Sequence, residues 1–363
     1  VRLFPLDEAR TAFLAKIEPV ASATMATSKA GGLVIADDVL TPRNVPAAAL
    51  ALERGYAVAS RASVGASSYL PALLAAVPKL FGAGETLPTG SDAIADIDDI
   101  REVPGGAEII SPIPPGRRVR MAGGDIAAGR VIVAAGTRLT ATGIAVLRAA
   151  GFTEVPVRVP AVVVVAPKGS CASAALLMDL AAKASADVSI AYVPESRLAG
   201  ALASTASADL ALVAGWSGAA LDAATDSLAE SGQVIARNLA VSPGAATACG
   251  FLGWQGHSAP VVLLPGRIEE TLAGWLLLAR PCLDRLAGFS GSRPSTALPL
   301  VRKIASPPGI IELALLKRDP RGWKPLAVGD IAWTAIAAAD AWLAIPAESE
   351  GFAAGEIVEA EFL

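Results

Sequence analysis

The sequence predicts a multidomain α/β protein, with a central α/β unit on a parallel-type sheet and β-rich segments to either side. Three observations point there. Through the middle third, short β-branched runs alternate with alanine-rich helical stretches, the pattern of parallel strands covered on both faces. Pro and Gly crowd residues 82–116 ("GAGETLPTGSD", "PPG"), where the chain is expected to cross between subdomains. The length, 363 residues, exceeds what one ordinary core closes over, so two to four domains are expected.

The opening "VRLFPLDEARTAFLAKIEP" reads as an amphipathic helix and lacks the apolar core and cleavage site of a signal peptide. Residues 100–160 read as turn-rich β structure, then a helix from about 140, then a strand. "AVVVVAP" (161–167) has the length and branching of a buried strand. A helix (171–186), strand (188–194), helix (196–206), strand (209–215), helix (about 220–232) and strand (near 233–241) follow. "PVVLLPGRIEETLAGWLLLARP" (260–281) closes the unit, its strand ending at Pro265-Gly266 where a helix starts at once. From 295 onward, "ALPLVRKIA", "GIIELALLKRD", "KPLAV" and "EIVEAEFL", with a helix near 331–340, suggest a small β-barrel.

Composition removes several function classes. Hydrophobic content of 53% and mean hydropathy of +0.52 invite a membrane reading. Asp, Arg or Pro interrupts every apolar run before the ~20 residues that a span requires, so no membrane is expected. A net charge of −4 with scattered basic residues argues against nucleic acid. Cys171, Cys249 and Cys282 are too widely spaced for a zinc pair or disulfide framework, and a cytoplasmic location is expected. The single histidine, His257, sits in "GWQGHSAPVV", a turn between strands, and reads either as a loop residue or as the lone base of a hydrolytic triad. No G-x-S-x-G elbow accompanies it, and neither phosphate-loop nor dinucleotide glycine fingerprints follow a strand.

In parallel sheets ligands bind beyond the carboxyl ends of the strands. The segments there are "APKGS" (166–170), "VPESR" (193–197), "AGWSGAALD" (214–222), "VSPGAA" (241–246) and "LPGRIEE" (264–270). Gly, Ser and Pro in these turns let backbone N–H groups approach an anion, although tight βα turns use the same residues without any ligand. Trp216, inside a glycine loop, fits a ligand cover, a subunit contact or the core.

The order of these motifs resembles the MoeA/gephyrin E-domain family, the molybdopterin molybdenumtransferases, over almost the whole length. "DEARTAFLAKIEP" and "GGLVIADDVLTPRNVPAAALALERGYAV" are similar to the family's opening helix and the segment ending in its Met-Asp-Gly trio. "VRMAGGDIAAGRVIVAAGTRLTATGIAVLRAAGFTEVPVRVPAVVVVAP" is the most specific stretch. "AGWSGAALD", "SPGAA", "LLPGRIEETLAGWLLLARPCLDRLAG" and the tail from Leu326 complete the series. The resemblance implies a β-rich lower domain (1–45 and 100–160), a small extended domain (46–99), a MogA-like molybdopterin-binding domain (161–290) and a C-terminal β-barrel (291–363). It also implies a homodimer that inserts molybdate into adenylylated molybdopterin with Mg²⁺ assisting, and a molybdoenzyme client.

Residue by residue the carry-over is partial. The trio's aspartate is replaced within Glu53-Arg54-Gly55, and the family's Thr-Gly-Asp-Glu-Leu is replaced by Ala166-Pro167-Lys168-Gly169-Ser170. Two motif lysines become Ser242 and Ala245, Leu-Pro-Gly-Asn-Pro becomes Leu264-Pro265-Gly266-Arg267-Ile268, and Ala83-Gly84 stands for Thr-Gly in the small domain. Asp125, Glu195 and Asp222 are the acids kept as catalytic candidates. Lys168, Ser170, Gly215, Ser217, Gly218, Pro243, Gly244, Pro265, Gly266 and Arg267 are the candidates for holding the cofactor.

Arginine in place of a carboxylate repels Mg²⁺, so metal-assisted adenylate cleavage is compromised. Lys168, Arg267, Ser217 and the backbone turns would still hold a phosphorylated pterin. The readings are therefore a molybdenumtransferase-like protein, a non-catalytic molybdopterin or cofactor carrier or sensor, and a scaffold that has kept the fold alone. Asp125 equally suits a turn cap, Lys168 a solvated loop, and Arg54 a surface pair with Asp92.

Overall fold

The computed structural model describes residues 2–169, 171–205, 207–254 and 257–363. Contacts divide the chain into two compact units, one of Val1–Asp37, Ala135–Ala141 and Glu154–Leu363, the other of Asp38–Ala134 and Thr142–Thr153.

At the centre of the first unit is a six-stranded sheet. Its strands are β1 (Ala161–Pro167), β2 (Asp187–Val193), β3 (Leu210–Trp216), β4 (Gly232–Arg237), β5 (Ala248–Trp254) and β6 (His257–Pro265). The order across the sheet is β2-β1-β3-β6-β5-β4. Strands β2, β1, β3 and β6 are parallel, whereas β5 is antiparallel to both β6 and β4. The sheet is therefore mixed, which corrects the parallel expectation at one edge.

The sequence pattern hid β5 because glycines at 250 and 253 in "ACGFLGW" read as breakers. A Cβ on Gly250 would lie 2.1 Å from the Gln233 carbonyl oxygen, so glycine is what permits the β4–β5 approach. His257 begins β6, and the turn residues Gln255 and Gly256 lie outside the described residues.

Helices α1 (Ala172–Lys183), α2 (Leu198–Ser204) and α3 (Ala219–Ser231) cover the sheet. Strand periodicity of two decides which core each side chain joins. From β3, Leu210, Leu212 and Ala214 pack with Leu177 of α1, while Ala211 and Val213 pack with Leu202 of α2 and Leu221 and Leu228 of α3. The amino-terminal helix Leu6–Leu14 buries Leu6, Ala9 and Phe13 against the first of these cores.

After β6 the helical run Ile268–Leu286 passes through a π-helical stretch, Trp275–Ala279. Pro281 has no N–H to offer the carbonyl four residues back and would crowd it; the wider turn just before it accommodates both. Beyond, Val241–Ser242, Ile311–Asp319, Ala341–Ile345, Ile357–Phe362 and Ser295–Pro299 form a second sheet in that order, with Gly322–Val328 also on Ile311–Asp319. Trp323, Leu316 and Ile345 fill its core. Among the described residues no strand ladder closes it; a single parallel bridge, Leu300 to Trp323, links the Ser295–Pro299 side to Gly322–Val328, so the sheet falls short of the closed barrel expected. One end is the two-residue strand Val241–Ser242; at the other, Pro299 has no N–H to donate, and the pairing with Gly322–Val328 is reduced to that bridge.

The second unit is made of small antiparallel sheets. Gly55–Val58 lies between Leu80–Phe81 and Ala93–Ala95, and Gly106–Ile109 between Ala72–Leu74 and Ile100–Val103. Leu50–Ala51 pairs with Val119–Arg120. Two modest cores result, around Ile109 and around Ile94. Among the described residues, no helix of the chain is long and apolar enough to cross a membrane.

Candidate functional site

The in-register pairing of β1 with β2 puts Pro167 beside Val193, and β3 meets β6 at Trp216 and Pro265, so the carboxyl ends share one rim. Hydrogen bonds tie three of the turns beyond it. Ser173, in the first turn of α1, donates to the Gly266 carbonyl at 2.7 Å, and the Gly266 N–H donates to Ser217 Oγ at 3.2 Å. Thr271 Oγ1 donates to the Pro265 carbonyl at 2.7 Å.

Gly215 sits where these turns press together. Its φ is +93°, and a Cβ there would lie 2.6 Å from Cys171 Sγ and 2.7 Å from Pro167 Cδ. The β3–β6 register shifts between Val213 and Trp216. That irregularity turns Trp216 onto the face opposite Ala214, where it is 5% exposed and packs with Val165, Leu198 and Leu221. Of its three sequence readings, the core is the one realised.

The other candidates fall into place around this knot. Lys168 and Gly169 are exposed just past Pro167, and Ser170 lies outside the described residues. Ser217 and Gly218 are exposed ahead of α3. Gly244, φ +98°, follows Pro243 and approaches Glu270 in the helix after β6, with 3.1 Å from its Cβ position to the Glu270 carbonyl oxygen. Glu195 and Ser196 face Ala219, Ala220 and Ala223 across an open cleft of about 690 Å³. Only small methyl groups of α3 line that wall.

Two of the candidate acids are paired with arginines. Asp222 shares a helix face with Asp226, and both meet Arg237, at 3.9 and 3.0 Å. Asp125 belongs to the second unit and pairs with Arg120 at 3.1 Å. In that unit Glu53 pairs with Arg118 at 3.1 Å, and Asp92, offered above as an Arg54 partner, accepts from Ser60 instead. Among the described residues no group of three His, Cys, Asp or Glu side chains is arranged to hold a metal ion.

Arg267 is already engaged: its guanidinium pairs with Glu269, which also accepts from the Trp333 indole N–H at 3.0 Å. Burial alone would raise the Glu269 pKa, but its own backbone N–H, Arg267 and Trp333 together hold it below the ordinary range. Burial pushes its neighbour Glu270 up. Burial also raises the Cys249 thiol to about 12, which leaves that sulfur unreactive. Sequence reasoning missed Ser173, Glu269 and Trp333. A serine in the first turn of α1, on the side facing the β6 turn, was the available sign of the first; nothing local marks Trp333.

Fold and rim define a multidomain α/β protein whose turns gather at the carboxyl ends of its parallel strands. Residues 4–151 match the family model of the MoeA N-terminal region (domain I and II). The chain is 25% identical to the molybdopterin molybdenumtransferase of Synechococcus elongatus over 157 residues, and 26% identical to molybdopterin molybdenumtransferase 2 of Mycobacterium tuberculosis over 151. Those matches cover 38% and 37% of this chain and only 39% and 37% of the relatives' own lengths. A solved structure of the molybdopterin biosynthesis MoeA protein from Pyrococcus horikoshii is 25% identical with a TM-score of 0.83, covering 99% of each chain. A second, at 20% identity, TM-score 0.82 and full coverage of both chains, shares the fold. The chain is thus similar to MoeA proteins in sequence over residues 4–151 and in fold over nearly its whole length.

Proposed function

We propose that this protein acts in molybdenum cofactor biosynthesis by holding molybdopterin, or its adenylate, at the rim of the central sheet. The observation that carries the reading is the Ser173–Gly266–Ser217 hydrogen-bonded knot, which fixes three turns where a phosphate would meet them. Lys168 supplies the free cation, the N–H groups near Ser217 and Gly218 the backbone donors, and the alanine-lined cleft under Glu195 and Ser196 a floor for a flat ring. Pro243, Gly244 and Pro265 shape the neighbouring turns. The four-part layout of the resemblance, a cytoplasmic location, a homodimer and a molybdoenzyme client belong to the same proposal.

Mg²⁺ and molybdate would be needed for metal insertion, and within one chain the residues present do not suit the ion. Asp125 and Asp222 are each paired with an arginine, and Arg54 and Lys168 stand where the family places acids. That substitution of cations for acids favours a second reading, a carrier or sensor that binds without turnover.

Titrating purified protein with molybdopterin tests the binding; no saturable binding would leave only the scaffold. Adding Mg²⁺ and molybdate to the adenylate separates the two readings, since AMP release marks a transferase and its absence a carrier.

A further inference from the structure

We propose that Glu269 sets the anion affinity of the rim by occupying the guanidinium of Arg267. This rests on the rim being the phosphate site, and adds a competitor built into the chain. Arg267 is 68% exposed at the start of the helix after β6 and is the cation nearest the Gly266 turn in sequence, yet its Nε is spent on Glu269. Glu269 itself is buried, its side chain 6% exposed, and cannot swing into water to release the arginine without leaving its site.

What holds Glu269 in place is Trp333. Its indole N–H donates at 3.0 Å from the short helix Trp333–Ala338, which packs on the same helix that starts the rim turn. The Gly266 N–H is likewise already donated, to Ser217. The Arg267 charge is therefore offset, and the Gly266 amide engaged, from within the chain. The outer Nη groups of Arg267 stay open to a phosphate, but it meets a guanidinium whose charge Glu269 already offsets and whose Nε is taken, so the turn binds more weakly than its composition suggests. Glu269 is a positioning and affinity-setting residue; it need not touch the ligand.

The test is calorimetric titration of inorganic phosphate and pyrophosphate, at low salt, into the full chain and its variants. Glu269→Gln keeps the shape and removes the competing charge; it is expected to tighten binding about three- to tenfold. Trp333→Phe should give part of that gain, and the double variant Glu269→Gln with Arg267→Gln should lose it. A melting curve for each variant guards against a folding defect, and Trp333→Phe keeps the carboxylate if Glu269→Gln proves unstable. No gain in a folded Glu269→Gln protein, or a gain that survives loss of Arg267, overturns the proposal. If the unaltered chain binds molybdopterin while Glu269→Gln shows no gain, the competitor is refuted and the rim reading stands. If no form binds phosphate and the unaltered chain binds no molybdopterin, both fall.

Discussion

Asp284 and Arg138, 146 positions apart in the sequence, meet at 3.3 Å around a carboxylate that also accepts from Arg280 at 3.0 Å and Arg293 at 3.1 Å. Arg138 reaches on to the Gly32 carbonyl and Ser185 Oγ, both at 2.8 Å, and Arg293 to Glu361 at 2.9 Å. One largely buried acid thus gathers segments from both ends of the first unit. Asp284→Ala would leave three guanidinium groups facing one another, and should cost about 3 kcal/mol of stability by urea denaturation. A loss below about 1 kcal/mol would mean that solvent screens the cluster.

Gly215→Ala tests the knot. A methyl group there meets Cys171 and Pro167 well inside contact distance, on a backbone of φ +93°. About 2–3 kcal/mol should be lost, with molybdopterin binding weakened as the three turns part. Retained affinity in the folded variant would detach the knot from the ligand.

Trp216 separates packing from recognition. Because its ring is buried with Val165 and Leu221, Trp216→Ala should destabilise by about 3–5 kcal/mol. Trp216→Phe, more gently destabilised, should bind molybdopterin as the parent does. A large loss of affinity with a normal melting temperature would restore the ligand-cover reading.

Asp92 governs part of the acid limb of stability. The Ser60 backbone N–H, at 2.6 Å, is the largest influence, and with the Ser60 hydroxyl it holds the carboxyl below its ordinary 3.8. A carboxyl depressed by folding adds stability that is fully present above its unfolded value and disappears as pH falls through the folded one. Asp92→Asn should therefore be less stable at neutral pH and flatter below pH 3.8. Parallel acid limbs for variant and parent would contradict this.

The sequence pattern was readable where one period dominates. "AVVVVAP" is strand Ala161–Pro167, and "DLALVAG" falls almost wholly within strand Leu210–Trp216. It failed where long-range geometry overrides local preference. Gly250 looks like a breaker until Gln233 lies against it, and Trp216 keeps three readings until the register shift before it rolls it into the core. At the rim, the turns were visible as Gly, Ser and Pro clusters, but the occupancy of Arg267 was not. Its controlling indole lies 64 residues from Glu269, in a segment whose composition says nothing of phosphate. How the C-terminal sheet ends, at a single Leu300–Trp323 bridge, was hidden for a similar reason: strand count is local, and closure is not.

The strand Val241–Ser242 pairs in parallel with Ile311–Asp319, although it arises between β4 and β5 of the central sheet. The two sheets are thus laced by the chain itself rather than merely stacked. Cutting the protein after residue 290 would not free an intact α/β half. It would unzip a ladder, bare Val241 and Ile311 to water, and offer sticky borders to other molecules, so recombinant fragments ending there should aggregate.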